Sequence, residues 1–125
     1  MQSWEGEAIS IFARKHSEND VILEVFSQKY GRVSGYVFGG VSRKKRAMLE
    51  QGQIINLEFL ARSENSMGVF ERLESVFEIS AIITDRAALC ALKCICELLH
   101  ETLPENMANG ALYEATKILI SNLGQ

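Results

Sequence analysis

The fold is decided by residues 21–61, which read VILEVFSQKYGRVSGYVFGGVSRKKRAMLEQGQIINLEFLA. Within 21–25, 33–37 and 55–61 apolar side chains recur with a period of two, which predicts three half-buried strands. Turn sequences rich in glycine follow the first two strands. The longer connection, 41–50, includes the sequence Ala-Met-Leu-Glu at 47–50, which we expect to form a helical turn.

Working outward, the same period adds one strand before this stretch and one after it. The earlier strand is marked by Ile9, Ile11 and Ala13, and the later one runs from Val69 to Phe77. Five short strands with a helical insertion between the third and fourth predict an OB-fold, a small and partly open barrel. An SH3-like barrel is the nearest alternative.

Beyond Thr84 and Asp85, either of which can cap a helix, the apolar period changes to 3.6. The pattern predicts an amphipathic helix ending near Pro104 and a second helix beginning near Gly110. The second helix is apolar over most of its circumference, so we expect partner helices beyond Gln125 or in another subunit. The predicted fold class is therefore α+β, with an OB-fold domain at 1–80 and the start of an incomplete helical domain at 81–125.

Charge is distributed unevenly along the chain. Residues 1–46 carry eight basic and five acidic side chains, net +3, whereas residues 47–125 carry five and eleven, net −6, giving −3 in total. The segment 25–49 has no acidic residue, and its basic residues are Lys29, Arg32, Arg43, Lys44, Lys45 and Arg46. Such a segment indicates a surface for an anionic partner, although a solvated loop would show the same run.

Aromatic residues accompany this charge on the third strand. Tyr36 and Phe38 share one face with Arg32 and Ser34. Cations interleaved with aromatic rings are typical of barrels that stack the bases of single-stranded nucleic acid. A place in the core is an equally good interpretation of both rings.

The cysteines predict no metal site. Cys90, Cys94 and Cys96 lie in one predicted helix with a spacing that is not that of a zinc knuckle. We expect them to be reduced thiols packed in the protein.

The sequence also predicts no catalytic residue. His16 lies beside Ser17, Glu18 and Asp20, but residues so close in one turn are not easily oriented as a catalytic triad, and a turn of capping residues is the better interpretation. His100 is expected at a surface or interface. No phosphate-binding loop or dinucleotide fingerprint is present in the sequence, so we expect neither an enzyme nor a cofactor nor a small-molecule substrate.

The expected location is the cytoplasm. No apolar run approaches the about 18 residues that cross a bilayer. The first residues lack the basic-then-apolar order of a secretory signal.

An ordered series of short motifs resembles the N-terminal half of the bacterial RecO family. The series covers the whole chain and consists of Trp4-x-Gly6, Arg14-x-x-Ser17-Glu18-x-Asp20, Val25-Phe26-Ser27-x-x-x-Gly31-Arg32, Gly39-Gly40-x-Ser42-Arg43, Leu49-x-Gln51-Gly52, Leu103-Pro104-Glu105 and Ala111-Leu112-Tyr113-Glu114. The resemblance implies a recombination mediator of the RecF pathway that binds single- and double-stranded DNA and anneals complementary strands in gap repair. It also implies cooperation with RecR, SSB and RecA.

Two departures from the family accompany this resemblance. The family usually has basic residues where this chain has Phe38 and Val41, so either two phosphate contacts are lost or Phe38 stacks instead. The family chain continues through further helices and often a zinc-binding element.

The expected function is DNA binding without sequence preference and without a chemical step. The predicted contact residues are Arg14, Lys15, Lys29, Arg32, Tyr36, Phe38, Arg43, Lys44, Lys45 and Arg46. The alternative is a protein-docking module in which the basic segment meets an acidic partner protein. A third possibility is a fragment with neither activity, whose exposed helices would promote self-association.

Overall fold

The computed structural model describes residues 2–63, 66–77 and 85–123. Its five strands are β1 (Gln2–Lys15), β2 (Val21–Ser27), β3 (Gly31–Val37), β4 (Ile54–Ala61) and β5 (Gly68–Phe77). Its helices are α1 (Arg43–Met48), α2 (Arg86–Thr102) and α3 (Gly110–Leu123). Within the described ranges, no helix combines the length and apolar character needed to cross a membrane.

The strands close into a barrel in the order β1-β2-β3-β5-β4, with β4 pairing back onto β1. Residues 2–9 of the long strand β1 pair with β4, and residues 8–15 pair with β2, with an irregularity between Ser10 and Phe12. Among the strands of the described ranges, β3 and β5 form the parallel pair, at Gly35 and Tyr36. This topology, with α1 between β3 and β4, confirms the OB-fold rather than the SH3-like alternative.

Two apolar cores follow from the alternation of side chains. The first fills the barrel with the inward residues of its strands, such as Leu23, Val33 and Phe70. The second joins the outside of the barrel, through Ile9 and Phe26, to the buried residues of α2 and α3. The two helices therefore pack directly on the barrel.

Helix α1 begins earlier than the sequence predicted. The expected turn at 47–50 is instead a helix over Arg43–Met48, because the side chain of Ser42 caps it by accepting a hydrogen bond from the amide of Lys45 at 3.4 Å. The basic run thus lies on the helix itself. At α2 the carboxylate of Asp85 caps the amides of Ala87 and Ala88, as the sequence allowed.

Helix α3 is buried on one side. Tyr113, Thr116 and Ile120 face the barrel and α2, whereas Ile118 is 59% exposed and Leu119 is 48% exposed in the described part of the chain. The sequence predicted burial on several sides for this helix, and in this structure its outer apolar side faces solvent.

The prediction of packed thiols is correct for Cys96 and wrong for the other two cysteines. Cys96 is fully buried between α2 and the barrel, where its Sγ lies 3.8 Å from the carbonyl of Ser10. Cys90 and Cys94 are exposed. The reason is that they lie one turn apart on the side of α2 that carries Glu101 and is opposite to the buried Leu92 and Leu99.

Candidate nucleic-acid interface

The four basic residues Arg43, Lys44, Lys45 and Arg46 lie together on α1, at the end of the barrel where β3 ends. Arg43, Lys44 and Arg46 are exposed, and Lys45 is half-buried. The Nζ of Lys45 donates a hydrogen bond to the carbonyl oxygen of Phe38 at 2.7 Å, which ties α1 to the preceding turn. None of the four forms an ion pair with a described residue.

Tyr36 and Phe38 form an aromatic surface beside α1. Inward and outward residues alternate along β3, which places Tyr36 outside the barrel. The Tyr36 and Phe38 rings are stacked with centroids 6.1 Å apart and planes 5° apart, and the ring of His16 lies 5.0 Å from that of Tyr36. Tyr36 is half-buried on the outside of the barrel and Phe38 is 54% exposed, so neither aromatic ring belongs to the barrel core.

The turn between β1 and β2 holds this end of the barrel in place. The carboxylate of Asp20 accepts hydrogen bonds from the amide of Gly39 at 2.9 Å and from the hydroxyl of Ser17 at 3.3 Å. The amide of His16 donates to the carbonyl of Asp20 at 2.9 Å. These contacts confirm a turn built from capping residues, and they leave the His16 ring beside Tyr36.

Arg14 and Lys15, at the end of β1, are exposed near α1. Together with Arg46 they border a groove of about 600 Å³ between β1, the connection after α1, and α2. The structure thus brings six of the predicted cations to one end of the barrel, namely Arg14, Lys15, Arg43, Lys44, Lys45 and Arg46.

Lys29 lies at the other end of β3, in the turn that follows β2. The six residue steps from Gly31 to Val37 span about 20 Å at the usual strand rise. Lys29 is exposed there, and the structure does not bring it together with the cations at α1.

Arg32 is near Lys29, and its guanidinium already has partners. Its Nη1 lies 3.0 Å from Oε1 of the buried Glu24, and its Nη2 lies 3.8 Å from Glu105. The Nδ1 of His100 lies 2.9 Å from the other oxygen of Glu24, and the His100 ring stacks on Phe12 at 4.2 Å. Arg32 therefore belongs to a polar network that joins the barrel to α2.

The comparison with known families decides the relationship of this chain. A family model described as "Recombination protein O N terminal" matches residues 1–78. The chain belongs to the RecO family.

Curated RecO proteins match nearly the whole chain. DNA repair protein RecO from Cereibacter sphaeroides (strain ATCC 17029 / ATH 2.4.9) is 36% identical over 123 residues, which cover 98% of this chain and 51% of that protein. The RecO protein of Hyphomonas neptunium is 39% identical, covering 97% and 51%, and that of Rhodospirillum rubrum is 35% identical, covering 100% and 50%. The chain thus spans about half the length of the curated RecO relatives it matches.

The sequence did not predict that a cation of α2 would lie near the candidate interface. Lys93 of α2 borders the same groove as Arg14, Lys15 and Arg46. The helical pattern placed Lys93 on the polar side of α2, but only the packing of α2 on the barrel brings that side to β1.

A second cavity of this RecO-family chain, of about 1,250 Å³, lies along the outer faces of β2 and β3. At one end Trp4 stacks between Tyr30 and Phe59, at centroid distances of 4.8 and 5.3 Å. Tyr30 and Met67 are each more than 40% exposed. The sequence did not predict this site, because its lining comes from four stretches that are far apart in the sequence.

The titratable groups with displaced pKa values lie away from α1. Burial, followed by the charge of Glu97, raises the pKa of Cys96 to about 12. Burial, followed by the hydrogen bond to Glu7 at 2.6 Å, raises the pKa of Tyr113 well above its ordinary value. Both groups belong to the core between barrel and helices. Residues 2–63, 66–77 and 85–123 contain no cluster of three His, Cys, Asp or Glu side chains able to hold a metal ion.

Proposed function

We propose that this chain binds single- and double-stranded DNA without sequence preference, and anneals complementary strands as a recombination mediator in DNA gap repair through the RecF pathway. The proposed activity has no chemical step. The observation that carries the proposal is α1, a helix of four cations without ion-pair partners among the described residues, next to the stacked rings of the half-buried Tyr36 and the exposed Phe38.

Each part of this surface suits one part of a nucleic acid. Cations that contact phosphates release condensed counterions, which gives an attraction independent of sequence. Lys45 uses one of its three N–H donors on Phe38 and keeps the others for a phosphate. The exposed ring of Phe38 offers a face for an unpaired base, and base–aromatic stacking contributes about 1–3 kcal/mol per base. We propose Arg14, Lys15 and the four cations of α1 as phosphate contacts, and Tyr36 and Phe38 as stacking residues.

The test replaces all four cations of α1 by alanine. Alanine keeps a high helix propensity and Ser42 still caps the helix, so the fold should persist. Removing four phosphate contacts should reduce the slope of log affinity against log salt by about 3 for a single strand. The measurement is fluorescence anisotropy with a labelled oligothymidylate over a series of salt concentrations.

The matched control removes the same amount of positive charge elsewhere, by alanine at Lys29, Arg62, Arg72 and Arg86. We expect the salt slope of this control to differ from that of the parent by no more than about 0.7, which is the contribution of one phosphate contact on a single strand. If the α1 variant binds as tightly as the parent at low salt, the proposed function is wrong.

Family membership supports the remaining parts of the proposal. These are annealing of complementary strands, cooperation with RecR, SSB and RecA, action in the cytoplasm at the nucleoid, and division into a DNA-binding unit at 1–80 and the start of a helical domain at 81–125. A mixing assay with labelled complementary strands tests annealing, which should be faster with the parent chain than with the α1 variant.

The second candidate function is a protein-docking module. The cavity bordered by Trp4, Tyr30 and Met67 favours it, because exposed aromatic and methionine side chains are enriched at protein interfaces. The anisotropy titration separates the two candidates. Salt-dependent binding of the oligonucleotide supports the DNA function, and a folded chain that does not bind at low salt supports docking.

A further inference from the structure

The groove between β1 and α2 has basic side chains on both of its walls. Arg14 and Lys15 come from the end of β1, Arg46 from α1, and Lys93 from the middle of α2. The apolar part of the lining includes Phe12, Val41, Leu49 and Leu89. A volume of about 600 Å³ is comparable with sites that hold small organic ligands, about 300–1,000 Å³.

The charges of this groove do not cancel. Its four cations face two carboxylates, Glu50 and Glu97, for a net charge of +2. The Oε1 of Glu97 accepts a hydrogen bond from Nε2 of Gln51 at 3.1 Å, which holds this carboxylate beside the connection to β4. No ion pair within 4.0 Å joins any of the four cations to a described residue.

We infer that a DNA single strand bound at α1 continues into this groove, where Lys93 contacts a phosphate from the helical side. This inference rests on the proposed function and extends the bound strand from the barrel onto α2. Arg46 belongs to both α1 and the groove, so the two surfaces are continuous.

The chemistry of the lining favours a single strand over a duplex. Phe12, Val41 and Leu89 are half-buried and leave apolar surface open to the groove. Unpaired bases can rest on such a surface while the phosphates face the cations. A duplex keeps its bases stacked inside, so it gains only the phosphate contacts.

The test is Lys93→Ala in the full chain. Each phosphate contact on a single strand contributes about 0.7 to the salt slope, so the variant should lose about 0.7 of slope. The same relation predicts about fivefold weaker binding of an oligothymidylate at 0.1 M salt.

The control is Arg62→Ala, which removes one exposed cation from the connection after β4, away from the groove. We expect this variant to bind like the parent. If Lys93→Ala also binds like the parent while the α1 variant loses affinity, this inference is wrong and the proposed function stands. If neither variant changes binding, both are wrong.

A footprint on the unmodified protein provides the second measurement. Acetylation of lysine amines, read by mass spectrometry, should be slower at Lys93 when oligothymidylate is bound. Lys29, at the opposite end of β3, should react at an unchanged rate and serves as the internal reference. Equal rates at Lys93 with and without the oligonucleotide would overturn the inference.

Discussion

Replacing Arg32 by methionine separates a structural role for this arginine from a role in binding DNA. Methionine keeps the unbranched apolar part of the side chain and removes the guanidinium. The structure predicts that Arg32→Met destabilises the fold without changing the salt slope of the proposed DNA binding, because the guanidinium already contacts Glu24 and Glu105.

The magnitude follows from the burial of the pair. The side chain of Arg32 is 20% exposed and that of Glu24 is 9% exposed, with 3.0 Å between Nη1 and Oε1. Removing one partner of a buried ion pair costs about 3–5 kcal/mol. The lower value applies, since Glu24 keeps His100 at 2.9 Å. The buried Nε of Arg32 has no hydrogen-bond partner among the described residues, so its removal offsets part of the loss, and we expect a net destabilisation of about 2 kcal/mol.

The assay is urea unfolding followed by circular dichroism. With a denaturant slope of about 2 kcal/mol/M, the midpoint should fall by about 1 M. The matched control is Arg72→Met, which loses a pair with Glu58 at 3.5 Å whose arginine is 79% exposed. Exposed pairs contribute about 0–1 kcal/mol, so the control should move the midpoint much less. Equal midpoints for the two variants would refute this reasoning, and a reduced salt slope for Arg32→Met would restore Arg32 as a DNA contact.

Three further predictions concern the core between barrel and helices. Cys96 should resist alkylation at pH 8 in the folded chain while the other two cysteines react, because burial raises its pKa to about 12; peptide mass spectrometry gives the reacted sites. Because the fold raises the pKa of Tyr113, the contribution of this residue to stability is complete below about pH 10, the pKa of tyrosine in the unfolded chain, and is lost as the pH rises further. Tyr113→Phe should therefore flatten the decline of the melting temperature at alkaline pH. Gly52→Ala should lower stability by about 2 kcal/mol in urea unfolding, because φ is +91° and the new Cβ would overlap the side chain of Leu92.

The barrel could be predicted from the sequence because apolar side chains recur with a period of two along its strands, even in β2, which the fold buries along its whole length. A period of two in residues such as Val33, Gly35 and Val37 fixes which side of β3 faces the core, and the order of five strands around one short helix then leaves few topologies. Helix α1 starts four residues before the predicted turn because Ser42 caps it, and a cap is a signal that the apolar pattern does not contain. A serine followed by four good helix formers was the available signal.

The candidate interface could be predicted most directly where its residues are neighbours in sequence. The run of cations on α1 is local, so its clustering could be read directly. Whether a cation is paired depends on tertiary contacts, and nothing near Arg32 in sequence shows that Glu105 and His100 approach it. Lys93 and β1 are likewise brought together only by the packing of α2.

An acidic chain can keep a basic surface because several acidic residues of its helical half are engaged at the barrel. Glu105 approaches Arg32, Glu97 accepts a hydrogen bond from Gln51, and Glu114 accepts one from Gln28. Arg32 lies five residues before the end of β3, so the network around it is about 17 Å from the end that carries α1. The Debye length is about 10 Å at 0.1 M salt, so Glu24 and Glu105 are largely screened from a phosphate bound at α1. Glu97 borders the groove beside Arg46, where four cations face two carboxylates. The charge asymmetry of the sequence therefore persists in the fold, and a polyanion at α1 experiences the local cations more than the net charge of the chain.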